Sequence, residues 1–260
     1  MTYFERLRAA ARARRSQLCV GLDPDPDRID GNALDALRFC QRVIEQTSDH
    51  VCCYKPNAAY WAQYGVDGFR ALTEIRLSIP EDIPLLLDFK VADIGNTMKA
   101  YARAAFEALD ADAVTVHAYH GADSLEEYTA AYPDRGVYIV CRTSNPGGAD
   151  LQDLDAGGRP LYLAVAELAE RVNQQGNVGL VVGATAPTEV AEVRAASDLP
   201  FLLPGVGPQG GDLEGAVRAA WTGDEASCLV SVSRAVLYAE DPDAEAHKLK
   251  QAINSVLAAV

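Results

Sequence analysis

Eight short apolar runs recur along the chain, each followed by a segment with helical spacing, and this alternation restricts the fold more than any other feature. The runs are QLCVGLD (17–23), HVCCYKP (50–56), PLLLDFK (84–90), AVTVHA (113–118), GVYIVCRTS (136–144), NVGLVVGAT (177–185), FLLPGVG (201–207) and CLVSVSR (228–234). Most are continuous rather than alternating in polarity, as expected of parallel strands covered on both faces. Helical spacing falls at 32–46, 66–78, 96–109, 121–131, 159–174, 187–197, 212–221 and 242–258. Eight strand–helix units in a chain of 260 residues predict an α/β fold, a single (β/α)8 TIM barrel, ahead of a doubly wound open sheet. There is no linker rich in Gly, Ser and Pro, so residues 1–260 read as one domain.

Charge narrows the partners. A net charge of -14 argues against non-specific nucleic-acid binding, which draws its affinity from cations that displace phosphate counterions. An anionic small molecule would have to be caught by a local cationic site. Only five of the 23 basic residues are lysines, which makes Lys55 and Lys90, both at strand ends, conspicuous. The six cysteines form no CxxC pair and five lie in strand-like runs, which predicts buried, reduced thiols in a cytoplasmic protein. No run approaches the roughly 18 apolar residues of a membrane span, and the basic start lacks the apolar stretch of a signal peptide.

In a barrel of this type the site lies at the C-terminal ends of the strands. Those ends carry Asp23, Lys55, Asp88 with Lys90, His117, Ser144, Thr185, the glycines at 205–207, and Ser233 with Arg234. The sharpest segment is LLLDFKVADIGNT (85–97). Asp88 and Lys90 are two apart and should project to one side of a strand; Asp93 follows at the turn and Thr97 one helical turn later. A charged pair ending a run of leucines is costly to bury without a purpose. PGVGPQGGD (204–212) leads from a strand into a helix, so its backbone N–H groups could receive an anion. Arg234, one strand later, offers the fork that suits phosphate, and Gln209 an amide donor. His117 and His120 are too few and too poorly spaced for a metal site, and the 145–158 stretch reads as a lid.

With these residues in view, the chain resembles the orotidine 5'-monophosphate decarboxylases. DFKVADIGNT carries their D-x-K-x-x-D-I-x-x-T signature, CVGLDPD resembles the first-strand motif, YKPN the second-strand lysine motif, and PGVGPQGGD the phosphate-gripping loop. RTSNPGGADLQDL and SVSRAVLYA resemble the longer branch called type 2. The resemblance implies decarboxylation of orotidine 5'-monophosphate to UMP, the last step of pyrimidine synthesis, with no metal or organic cofactor. It implies that Lys90 protonates C6 and that Lys55, Asp88, Lys90 and Asp93 form an alternating charged tetrad. It further implies a homodimer in which Asp93 and Thr97 reach the partner's site. Asp23 and Lys55 would hold ribose hydroxyls, Ser144 the pyrimidine edge, and Gln209 with Arg234 the phosphate, with Ile94, Pro204, Gly210 and Ser233 completing the substrate-binding set. Ser233 departs from the pattern, in which many relatives have glycine before the arginine. Related sugar-phosphate decarboxylases and hexulose-phosphate synthases share the aspartate–lysine–aspartate pattern but use magnesium, with an acidic ligand where this chain has Lys55. A catalytically silent phosphate-binding barrel would need a broken tetrad, and all four positions are present.

Overall fold

The computed structural model describes residues 1–185, 187–205 and 212–260. Its eight strands are β1 (Leu18–Gly21), β2 (Cys53–Lys55), β3 (Leu86–Val91), β4 (Ala113–His117), β5 (Gly136–Arg142), β6 (Val178–Val182), β7 (Phe201–Pro204) and β8 (Cys228–Val232). All neighbours pair in parallel, in the order β2-β1-β8-β7-β6-β5-β4-β3. Two parallel bridges, Tyr54 to Leu85 and Asn57 to Asp88, join β2 to β3, so the sheet closes on itself. This is a (β/α)8 TIM barrel.

Both faces of the strands are buried, which accounts for their continuous apolar sequence. One core fills the space between sheet and outer helices; a second fills the barrel interior with Cys19, Cys53, Leu86, Tyr138, Val181 and Leu229. All six cysteines are buried and free. The helices fall where the spacing places them, for instance Ala33–Thr47, Leu161–Val172 and Pro242–Leu257. No helix among the described residues is long and apolar enough to cross a membrane.

Among the described residues, four α-helices lie outside the sequence expectation. The basic start forms a helix, Tyr3–Arg14, set by a capping box between Thr2 and Glu5. It presses Tyr3, Phe4 and Leu7 into the N-terminal mouth of the barrel. A Cβ at Gly136 would stand 2.3 Å from the Tyr3 ring, so glycine there admits the plug. Short helices also form at Ala58–Ala62 and Arg234–Leu237. The 145–158 stretch contains a helical turn, Ala149–Gln152, fastened to the end of β5. There the buried Arg142 donates to the Thr143 carbonyl (2.7 Å) and to Asp153 (3.2 Å), while Gln152 accepts from the Thr143 N–H (2.8 Å).

Candidate active site

Closure of β2 against β3 brings three of the expected charges into one row. Asp88, 6% exposed, is held between two ammonium groups: Lys55 Nζ on Oδ2 and Lys90 Nζ on Oδ1. Lys55 is as deeply buried as Asp88, whereas the Lys90 side chain is 38% exposed and reaches the carboxylate from the open side. The contact between Asp88 and Lys90 does not come from regular strand alternation, as the sequence suggests. The β3–β4 register slips between Leu87 and Val91, and Lys90 has a φ of 46°. Left-handed backbone costs a non-glycine residue about 1–2 kcal/mol, so it persists only where the surroundings impose it.

The row perturbs its members in different directions. Burial raises the Asp88 carboxyl, but the ammoniums of Lys55 and Lys90 outweigh it and hold the group well below the usual carboxylate range. Burial pulls Lys55 down, and Asp88 and Asp23 more than reverse this, so it stays above the ordinary lysine value. For Lys90 burial wins: desolvation, reinforced by repulsion from Lys55, outweighs Asp88 and leaves the ammonium more acidic than an ordinary lysine.

A cavity beside the row is lined by Asp23, Lys55, Asp88, Pro204, Ser233 and Arg234; Lys90 is not one of its lining residues and is linked to it through Asp88. Asp23 is fixed by an N–H donated from Asn57 (3.1 Å). Ser233 packs against β1: a Cβ at Gly21 would lie 2.6 Å from the Ser233 Cβ, so Gly21 makes room for the serine. The Ser233 Oγ is buried without a hydrogen-bond partner among the described residues. Ser144 sits at the end of β5, its carbonyl accepting from the Thr185 hydroxyl (3.2 Å). Gln209 and Gly210 lie outside the described residues.

Asp93 does not join the row within one chain. Its Oδ1 accepts the Ile94 N–H (2.8 Å) and its carbonyl accepts from Ser124 (2.8 Å). Ile94 is 61% exposed and Thr97 is exposed beside it. His117 is half-buried and His120 exposed; among the described residues no group of three or more His, Cys, Asp or Glu could hold a metal ion.

The chain and its fold have counterparts among known proteins. Residues 16–249 match the family described as orotidine 5'-phosphate decarboxylase / HUMPS. The chain belongs to this family. An orotidine 5'-phosphate decarboxylase of Roseiflexus sp. (strain RS-1) is 49% identical over 273 aligned residues that cover all of both chains. One from Cupriavidus necator is 48% identical over 92% of this chain and 90% of its own. Among solved structures, the Leishmania donovani OMP decarboxylase superposes with a TM-score of 0.91 at 45% identity, covering 98% of this chain and 99% of that one.

Within this orotidine 5'-phosphate decarboxylase / HUMPS member, sequence reasoning passed over three residues that support the candidate site. Asn57 fixes Asp23, Arg142 anchors the segment beside Ser144, and Thr115 on β4 donates to Asp88 Oδ1 (2.9 Å). Thr115 has a faint signal, being the one hydroxyl in an apolar strand, two residues before His117 and so on the same side.

Proposed function

We propose that the whole chain acts as one domain that decarboxylates orotidine 5'-monophosphate to UMP, the last step of pyrimidine synthesis, with no metal or organic cofactor. The observation that carries this reading is the Lys55–Asp88–Lys90 row beside a cavity flanked by Arg234. Loss of carbon dioxide leaves a carbanion-like centre at C6 with no external electron sink. Stabilisation then has to come from a preorganised cation and a proton delivered at once. Lys90 supplies both, and its lowered pKa brings its acidity closer to that needed near neutral pH. Asp88 meets the substrate carboxylate as a like charge that is relieved when carbon dioxide departs. Asp23 and Lys55 hold the ribose hydroxyls, Ser144 the pyrimidine edge, and Ile94 belongs to the substrate-binding set. Arg234, with Gln209, Gly210, Pro204 and Ser233, takes the phosphate.

The direct test is loss of orotidine monophosphate absorbance with purified protein in EDTA. Rapid loss is expected. An inactive protein that instead turns over a sugar phosphate with magnesium would replace this reading with the sugar-phosphate one. In the same assay Arg234→Ala is expected to lower kcat and raise KM, each by roughly 10- to 100-fold, because binding energy from the remote phosphate is used to assemble the site. A change confined to KM would remove that role.

The functional unit is a homodimer with shared sites. Loops after β3, β4 and β5 expose Ile94, Tyr119 (82%), Leu151 and Leu154 on the same end of the barrel as the row, next to Asp93 and Thr97. A second copy covering this rim would bring Asp93 and Thr97 to its partner's row. Mixing Lys90→Ala and Asp93→Ala chains, each inactive alone, should therefore restore about a quarter of wild-type activity, since half the dimers are mixed and each carries one intact site. No recovery after subunit exchange, verified by tagged-chain pull-down, would place Asp93 outside the partner's site.

A further inference from the structure

We infer that Thr115 is a positioning residue, whose hydroxyl holds the Asp88–Phe89–Lys90 segment in the bulged shape that sets Lys90 on Asp88. The inference rests on the proposed role of that row. Leu87 pairs with Val114 and Val91 with Val116, so three residues of β3 stand opposite Thr115 alone. A regular ladder would have paired their backbone groups with β4. Here the Thr115 Oγ1 takes their place, accepting the N–H of Phe89 (3.0 Å) and of Lys90 (3.1 Å) and donating to Asp88 Oδ1 (2.9 Å). One proton and two lone pairs are all a hydroxyl has, and all are used.

Thr115 is fully buried, so water does not compete for these bonds. The two accepted N–H groups belong to the residues at and just before the left-handed φ of Lys90. The donated bond reaches the same carboxylate oxygen that Lys90 contacts. One side chain therefore fixes both the backbone from which Lys90 departs and the anion on which its ammonium rests. Valine has nearly the shape of threonine and none of these bonds; serine keeps all three.

The experiment compares Thr115→Val and Thr115→Ser by kinetics and by 13Cε-lysine NMR of the intact protein. With five lysines in the chain, the Lys90 signal is identified by its absence in Lys90→Ala. For Thr115→Val we expect kcat on orotidine monophosphate to fall on the order of 100-fold with KM within about threefold, the pattern of a misplaced reacting group rather than lost binding. The Lys90 signal should titrate at lower pH once its ammonium leaves Asp88. Thr115→Ser should restore both. A Lys90 titration in Thr115→Val equal to that of the wild type, or a loss of kcat that serine does not recover, would overturn the inference in favour of simple packing. Should the valine variant not fold, Thr115→Cys, a weak hydrogen-bonding replacement, is read against the same two outcomes. If the wild type does not decarboxylate orotidine monophosphate, the functional reading fails while the NMR comparison still decides the role of Thr115.

Discussion

Replacing Lys90 with alanine should reduce kcat/KM for orotidine monophosphate by about 10⁵-fold while leaving UMP affinity within about tenfold of wild type. A positioned proton donor contributes roughly 10²–10⁴ and a preorganised charge at the reacting centre roughly 10²–10³. One group supplying both loses both together. The fold should survive, because Lys90 is 38% exposed and its removal leaves Asp88 paired with the buried Lys55. Lys90→Arg separates the two contributions. Arginine keeps a cation but cannot release its proton in this pH range, so its activity should fall between alanine and wild type. The pH profile gives an independent reading. In the proposed mechanism the reactive form is the ammonium, and the Lys90 pKa lies below the ordinary lysine value, so the rate should fall as pH rises through that lowered value. An alanine variant retaining more than a hundredth of wild-type activity would mean that the proton comes from elsewhere.

Much of the molecule is legible in sequence because it follows from local periodicity. A parallel barrel needs strands apolar on both faces, and the positions that break each apolar run mark its C-terminal end: Asp23, Lys55 and Ser144 lie at or just past strand ends, and Asp88 lies inside β3 where its regular pairing with β4 stops. What escapes the sequence depends on contacts between distant segments. The Tyr3–Arg14 helix reads as a charged start because its inner face is partly alanine, and its purpose appears only when Tyr3 meets the gap at Gly136. Alternation correctly joins Asp88 to Lys90, but for the wrong reason: the strand slips there, and a hydroxyl from β4 restores the contact. The pKa directions of the two lysines are equally hidden. Burial lowers both and Asp88 raises both; the next charge acting on Lys55 is Asp23, which raises it, whereas the next acting on Lys90 is the Lys55 ammonium, which lowers it.

Asp88→Asn should damage stability as well as turnover, and the two losses should be separable. Asparagine leaves the Lys55 ammonium buried without its counter-charge, a change that costs about 3–5 kcal/mol. For a protein of this size that corresponds to a fall in Tm of roughly 6–20 °C. Because the Asp88 pKa is depressed in the folded state, its stabilisation is present above the unfolded carboxylate value near ~3.9 and is lost as pH falls from there through the folded value. Wild-type stability should therefore decline more steeply on acidification than that of Asp88→Asn. Lys55 has the opposite sign: its raised pKa contributes stability below the unfolded value near ~10.4, lost as pH rises through the folded value. The double variant Asp88→Asn, Lys55→Met removes the stranded charge and should recover most of the lost Tm, since apolar or neutral replacements of a buried pair are often neutral in stability. It should recover none of the turnover, because the row that holds Lys90 is gone. Recovery of both would mean that Asp88 serves the fold alone; a single variant with unchanged Tm would mean that Lys55 finds another partner or gives up its proton when Asp88 is neutralised.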